Sequence, residues 1–327
     1  MNDRKGYRVV FCGTPAIAVP ALLALAEVTE IPAVVCQPDR PAGRGMKLQA
    51  PAVKIAAQRL SLPVYQPTRV RDGSLSKWLE EQRADAALVM AYGRILNRET
   101  LQTPRLGCVN LHASLLPQYR GAAPIQRALM DGQEKTGICL MQMDEGMDTG
   151  PVLSRTQLEI EPQDNNGTLS EKLGRLAADV VRQQLLPFLR GELAATPQDH
   201  TLASYAPPLV KQDQQLNFLQ PAMRLENQVR GLAPRPAAVA QLRKLGAGEG
   251  TKRTKIHSCR VANPALRLSP GELGEDAGRL FVGTGEGILE LLLVQPEGKK
   301  AQTGSDAING RSLVHGDRFD LPPQPAG

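Results

Sequence analysis

Residues 8–15 read RVVFCGTP, a short run rich in apolar side chains (Arg8 to Cys12) that stops at Gly13-Thr14-Pro15. No apolar–polar alternation marks a wet face, so the run predicts a strand buried in a parallel sheet. Working outward, Ile17–Val28 is dense in Ala and Leu and predicts a helix. Ala33–Cys36 (AVVC) is a second short strand, and Val53–Arg59 a helix. Ala86–Met90 (AALVM), ending at Ala91-Tyr92-Gly93, Cys108–His112 (CVNLH) and Ile138–Asp144 (ICLMQMD) continue the strand series. Residues 122–130 and 169–189 are helical. Strands alternating with helices predict an α/β domain, a Rossmann-like parallel sheet covered on both faces. The lone glycine after the first strand is not a G-x-G-x-x-G fingerprint, which weighs against a dinucleotide-binding dehydrogenase.

Beyond residue 190 the pattern changes. Residues 191–208 carry no period and are expected as a linker between a first domain, 1–190, and a second, 209–327. After a helix over 223–232 the second domain has β-rich runs at Ala238–Leu242, Lys255–Val261, Leu280–Val282 and Ile288–Val294, separated by Gly and Pro. Such spacing predicts a small β-barrel or sandwich.

With 327 residues and 42% hydrophobic content, the chain can fill two cores; aromatics are only 3%, so Ala, Leu, Val and Ile must build them. The net charge of +6 permits a polyanionic partner, but on composition alone it reads first as ordinary solvated surface charge. Five cysteines without a C-x-x-C pair read as free thiols in a reducing compartment. No apolar run reaches membrane-spanning length and the start lacks a signal-peptide pattern, so a cytoplasmic protein is expected. Nothing in the sequence demands more than a monomer. The four histidines are scattered, and no metal site is expected.

On the strand 108–112, Asn110 and His112 fall on one face and Val109 and Leu111 on the other. A histidine on an apolar strand is commonly a satisfied core residue. An Asn and a His paired at a strand end, ahead of a polar loop, fit a ligand crevice equally well. The turn Asp144–Gly150 (DEGMDTG) is by itself a solvated acidic turn. Its glycines also allow a carboxylate to be aimed back at the sheet edge. Asn110, His112 and Asp148 together make a set suited to acyl transfer to an amine: an amide donor for an oxyanion, a group that titrates near neutrality, and a carboxylate to orient it. No Ser or Cys nucleophile with a base partner is evident, which favours direct transfer. The Gln37–Leu48 stretch, with Arg40, Arg44 and Lys47 among Gly and Pro, reads either as an exposed loop or as an arm reaching phosphates. Lys252, Arg253, Lys255, Arg260, Lys299 and Lys300 offer a second basic surface.

Several of these segments carry a resemblance: FCGTP (11–15), QPDRPAGRGMK (37–47), NLHASLLP (110–117), YRGAAPIQ (119–126), MQMDEGMDTG (141–150) and, more weakly, QPEGKK (295–300). On these motifs the chain resembles the folate-dependent formyltransferases, and over nearly its whole length the branch acting on methionyl-tRNA. The resemblance implies a Rossmann-like formyltransferase domain followed by an OB-like barrel. It implies 10-formyltetrahydrofolate as donor and methionyl-initiator tRNA as acceptor, giving N-formylmethionyl-tRNA for translation initiation. The family's catalytic Asn, His and Asp fall on Asn110, His112 and Asp148. Its folate-contacting segment falls on Ser114, Leu115, Leu116 and Pro117, with backbone help from Tyr92 and Gly93. Its tRNA-reaching loop falls on Arg40, Arg44 and Lys47, and Lys299 and Lys300 lie in the tRNA-binding domain. Pro234-Arg235-Pro236 and the stretch 244–255 depart from the family pattern. Two other readings stand beside this one: a formyltransferase acting on a small amine such as a sugar nucleotide or a purine-pathway ribonucleotide, and a non-catalytic RNA-binding relative.

Overall fold

The computed structural model describes residues 6–42, 45–246 and 250–321. The chain divides into two compact units. The first comprises Met1–Pro124, Lys135–Ile160 and Ser170–Pro207; the second comprises Ile125–Glu134, Glu161–Leu169 and Pro208–Gly327. Residues 191–207, expected as a free linker, therefore cluster with the first unit. Backbone bonds from Arg120 to Ser204, Ala206 to Arg120 and Ala123 to Ala206 tie them there.

In chain order the elements are β1 (Val9–Gly13), α1 (Val19–Val28), β2 (Val34–Val35), β3 (Arg40–Ala42), β4 (Lys47–Gln49), α2 (Ala52–Arg59), β5 (Val64–Tyr65), α3 (Ser74–Glu81), β6 (Ala86–Met90), α4 (Arg98–Gln102), β7 (Cys108–His112), α5 (Pro124–Met130), β8 (Lys135–Gln142), β9 (Val152–Glu159) and α6 (Asn166–Leu189). They continue with α7 (Ala222–Leu232), β10 (Ala238–Arg243), β11 (Thr251–Ala262), β12 (Leu273–Asp276), β13 (Arg279–Gly283), β14 (Ile288–Pro296), β15 (Gln302–Thr303), α8 (Gly304–Asn309) and β16 (Arg318–Phe319).

The first unit is built on a sheet of order β5-β2-β1-β6-β7-β8-β9. Its first five strands are parallel. Every residue of β1, β6 and β7 is buried, as strands covered on both faces require. The order reverses between β1 and β6, and at such switch points open α/β sheets place ligands beyond the strand ends. The apolar run expected as a further parallel strand is instead antiparallel: β8 pairs Val109 with Gln142 and His112 with Cys139. An apolar run carries no signal of direction, and an antiparallel edge on a parallel sheet is common. The turn after β8 therefore leaves beside Val109, at the start of β7. It must fold back along that strand to approach His112.

The second unit contains a sheet of order β12-β13-β14-β11-β10-β16, with β15 on β14. A bridge from Glu272 to Arg318 and the bond from Phe319 N–H to the Gly271 carbonyl, 2.8 Å, join its two ends. The result is a small closed, OB-like barrel. Its core is aliphatic, with Leu225, Val229 and Leu232 of α7 packed among Leu242, Ile256, Leu289 and Leu291. Phe218 and Phe319 stack within it at 5.1 Å. Buried Asp317 locks the closure, accepting from Lys244 Nζ at 2.8 Å and from the Leu245 and Val314 N–H groups at 3.0 Å each.

Glu290 on β14 is nearly buried and is gripped by Arg279 and Arg260. Hydrogen bonds from Arg279 first, then Arg260, hold its carboxyl below the ordinary 4.5. A depressed folded value means that the stabilisation is complete above 4.5 and is lost as pH falls through the folded value. Glu290→Gln is expected to lower the unfolding midpoint at neutral pH. Its deficit against wild type should shrink as pH drops from about 6 to about 3. Parallel thermal melts across that range check this, and a pH-independent deficit would contradict it.

Candidate active site

Strand β7 presents Asn110 and His112 on one face, two residues apart, and both are nearly buried at 9% and 5% exposure. The Asn110 carboxamide makes no side-chain hydrogen bond among the described residues, so its N–H is free to donate. His112 is fixed by the loop that follows: its Nε2 lies 3.0 Å from the backbone carbonyl of Tyr119. A carbonyl only accepts, so Nε2 carries a hydrogen and the exchangeable position is Nδ1. On that side stands Asp148, with Oδ2 3.6 Å from Nδ1.

Three carboxylates share the acidic turn, and local chemistry separates them. Asp144 Oδ1 accepts from Thr149 Oγ1 at 2.7 Å and from the Gly146 N–H at 3.1 Å, which uses it to shape the turn. Glu145 is exposed and reaches Arg98. Asp148 alone turns inward. It sits at φ 54°, a left-handed conformation that Asp tolerates better than most residues, and its Oδ2 accepts from the Gly121 N–H at 2.9 Å. At Gly150 a Cβ would stand 2.0 Å from the Gln142 carbonyl, so only glycine lets the chain re-enter the sheet there.

The segment 114–117 is shaped from within. Ser114 is buried and its hydroxyl donates to the Gln118 carbonyl at 2.6 Å. Leu116 packs with Cys139, Met141 and Val152. Leu115 and Pro117 are half-buried. The Tyr92 carbonyl accepts from Thr14 Oγ1 and Gln37 Nε2, each at 2.9 Å, and the Gly93 carbonyl accepts from Gln37 Nε2 at 3.1 Å. The Tyr92 hydroxyl is buried, and burial pushes its pKa up. Gln37 and Thr14 thus join the root of the basic stretch to the end of β6, a role that the sequence did not signal.

A cleft at Gly93 is lined by Thr68, Arg69, Val70, Arg71, Asp72, Arg94 and Ile95, three cations against one carboxylate. Arg94 Nε is buried there without a hydrogen-bond partner. A buried unpaired cationic donor is costly, and an anionic ligand group would satisfy it. No periodic signal in the sequence pointed to this arginine.

The basic stretch is not a plain loop: β3 and β4 pair as an antiparallel hairpin with Ala42 opposite Lys47. Arg40 is exposed and bonds Gln37 Oε1, and Lys47 is exposed. Arg44 lies outside the described residues. In the second unit Lys299 and Lys300 are exposed just after β14, and Lys252 and Arg253 are exposed on β11. Arg260, which the sequence grouped with them, is spent on Glu290. The five cysteines are buried and free, and burial raises each thiol above its ordinary value, Cys36 and Cys139 to about 11. None is an activated nucleophile. Among the described residues no group of three or more His, Cys, Asp or Glu is placed to hold a metal ion, and no helix is long and apolar enough to cross a membrane.

Comparison with known proteins shows the family. The family model described as formyl transferase matches residues 8–185, and the formyl transferase C-terminal domain matches residues 208–312. A methionyl-tRNA formyltransferase from Sorangium cellulosum is 45% identical, covering 94% of this chain and 98% of that protein. One from Halorhodospira halophila is 44% identical over 95% and 98%. Among solved structures, a sugar 3N-formyl transferase crystallised with dTDP and 5-N-formyl-THF shares the fold. Its TM-score is 0.63 at 15% identity, covering 90% of this chain and 99% of that one. With both family models matched in order along the sequence, the chain belongs to the formyl transferase family.

Proposed function

We propose that this enzyme transfers a formyl group from 10-formyltetrahydrofolate to the free amino group of methionyl-initiator tRNA, in the cytoplasm. The observation that carries the chemistry is the convergence of Asn110, His112 and Asp148, with an unused amide donor and one exchangeable imidazole nitrogen facing a carboxylate. The full-length relatives named methionyl-tRNA formyltransferase support the choice of acceptor.

In this reading Asn110 donates its amide N–H to the formyl oxygen as the neutral amine attacks, and His112, when it carries a second proton on Nδ1 opposite the Asp148 carboxylate, donates from there. Asp148 orients the imidazole and accepts the proton that the attacking nitrogen loses. A proton is returned to N10 as the C–N bond to the folate breaks, so one proton leaves the amine and one reaches the leaving nitrogen. Arg94, with Arg69 and Arg71 beside it, suits the carboxylates of the folate's glutamate tail. Segment 114–117 and the Tyr92-Gly93 backbone are read as walls for the folate. The second unit, with Lys299 and Lys300, and the hairpin bearing Arg40 and Lys47 are read as holding the RNA.

The direct test is formyl transfer to methionyl-initiator tRNA with a sugar-nucleotide amine and free methionine as competing acceptors. Transfer only to a small amine would overturn the acceptor, and no transfer would overturn the enzyme. Asn110→Ala is expected to lower kcat on the order of a hundredfold or more. Steady-state rates near wild type would remove Asn110 from the mechanism. Lys47→Glu is expected to raise KM for the tRNA and to flatten its salt dependence by roughly one contact's worth. An unchanged salt slope would take the hairpin out of RNA binding.

A further inference from the structure

Arg120 is 1% exposed and heads the fully buried side chains by size. A guanidinium taken out of water is ordinarily paired with a carboxylate. Among the described residues Arg120 has no such partner. Its Nε and Nη2 both donate to the side-chain oxygen of Gln198, at 3.1 and 2.8 Å, and its Nη1 lies 3.2 Å from His200 Nδ1. Gln198 is itself buried, and its Nε2 donates to two carbonyls, Asp148 at 2.8 Å and Gly150 at 2.7 Å. The fork on one end of the amide fixes which end is oxygen, so both N–H bonds of the other end fall on the turn that carries Asp148.

That turn needs holding. It leaves β8 beside Val109, folds back toward His112, and passes through a left-handed Asp148. The backbone of Arg120 belongs to the same scaffold: its N–H donates to the Ser204 carbonyl at 2.9 Å and its carbonyl accepts from Ala206 at 2.7 Å. Tyr119, the acceptor for His112, and Gly121, the donor to Asp148, flank it on either side.

We propose that Arg120 and Gln198 are positioning residues for Asp148, and that segment 198–206 is a working part of the active site. The buried cation serves to lock the Gln198 amide, and the amide holds the Asp148 turn against His112. This rests on the reading of Asp148 as a catalytic group, and the test separates the two.

Gln198→Glu keeps an acceptor for Arg120 but turns a carboxylate oxygen on the Asp148 and Gly150 carbonyls in place of the two N–H bonds. It is expected to lower kcat roughly tenfold to a hundredfold, as misplacement of a reacting group by about 1 Å does, with KM for both substrates within about twofold. Arg120→Lys keeps the charge and loses the two-point hold, and should act in the same direction. It is measured alongside in case Gln198→Glu folds poorly. Asp148→Asn and the Asp148→Asn/Gln198→Glu pair complete a cycle. The proposal expects the double variant to be no slower than Asp148→Asn alone. If Asp148→Asn is slow while Gln198→Glu and Arg120→Lys turn over like wild type, or if the two losses multiply, the positioning role is overturned and the catalytic reading stands. If Asp148→Asn itself is wild type, the catalytic reading falls.

Discussion

The bond from His112 Nε2 to the Tyr119 carbonyl organises the site. It spends one ring nitrogen on the backbone and leaves Nδ1 as the only position where a proton can come and go. Placing that carbonyl requires the loop after β7 to curl back onto the strand end. The bonds inside the loop do this: Ser114 to Gln118, Arg155 to the Leu116 carbonyl at 3.0 Å, and the Tyr119 N–H to Ser204 Oγ at 2.9 Å. Each is a local expense whose return is the orientation of one imidazole.

The opposite wall of the site is held against two unfavourable terms. Asp148 occupies a backbone conformation that non-glycine residues mostly avoid, and Arg120 is buried without an opposing charge among the described residues. Such features persist where the surroundings over-determine them. Here the surroundings are the Gly121 N–H, the Gln198 amide and the glycine-only passage at Gly150. Asp144 and Glu145, three or four positions away, meet none of these constraints and stay exposed. Neighbouring carboxylates are thus assigned different work by hydrogen-bond geometry alone.

Much of the first unit was legible because its signals are periodic. The short apolar runs at β1, β6 and β7, bounded by turn residues, read as buried strands. The two-residue period placed Asn110 and His112 on one face before any coordinates. What stayed hidden lacked a period or a direction. The run at β8 could not announce that it was antiparallel, so the fold-back of the acidic turn was not foreseen. Edge strand β9 buries only Val152 fully and otherwise alternates between half-buried and exposed, and β5, β12 and β16 are too short to register. Strands β3 and β4 are three residues each, too short to show a period, which left 37–48 looking like a plain loop. Gln198 sits in a polar segment without a period, and a lone glutamine there has no signature.

On the proposed reading, fold and trio suit formyl transfer to an amine but do not select which amine, because a sheet-end site with an amide, an imidazole and a carboxylate recognises the reacting atoms and little else. Selection must come from groups that touch the rest of the acceptor. On the proposed reading those are cations left free after structural pairing: Lys47 on the hairpin and Lys252, Arg253, Lys299 and Lys300 on the barrel, all exposed. Arg260 and Arg279 are consumed by Glu290, and Arg243 by Asp320 at 3.0 Å. A modest net charge of +6 is therefore compatible with a polyanionic acceptor. What matters is not the total but how many cations the fold leaves unpaired at the surface, and the ion pairs that stabilise the barrel remove several from that number.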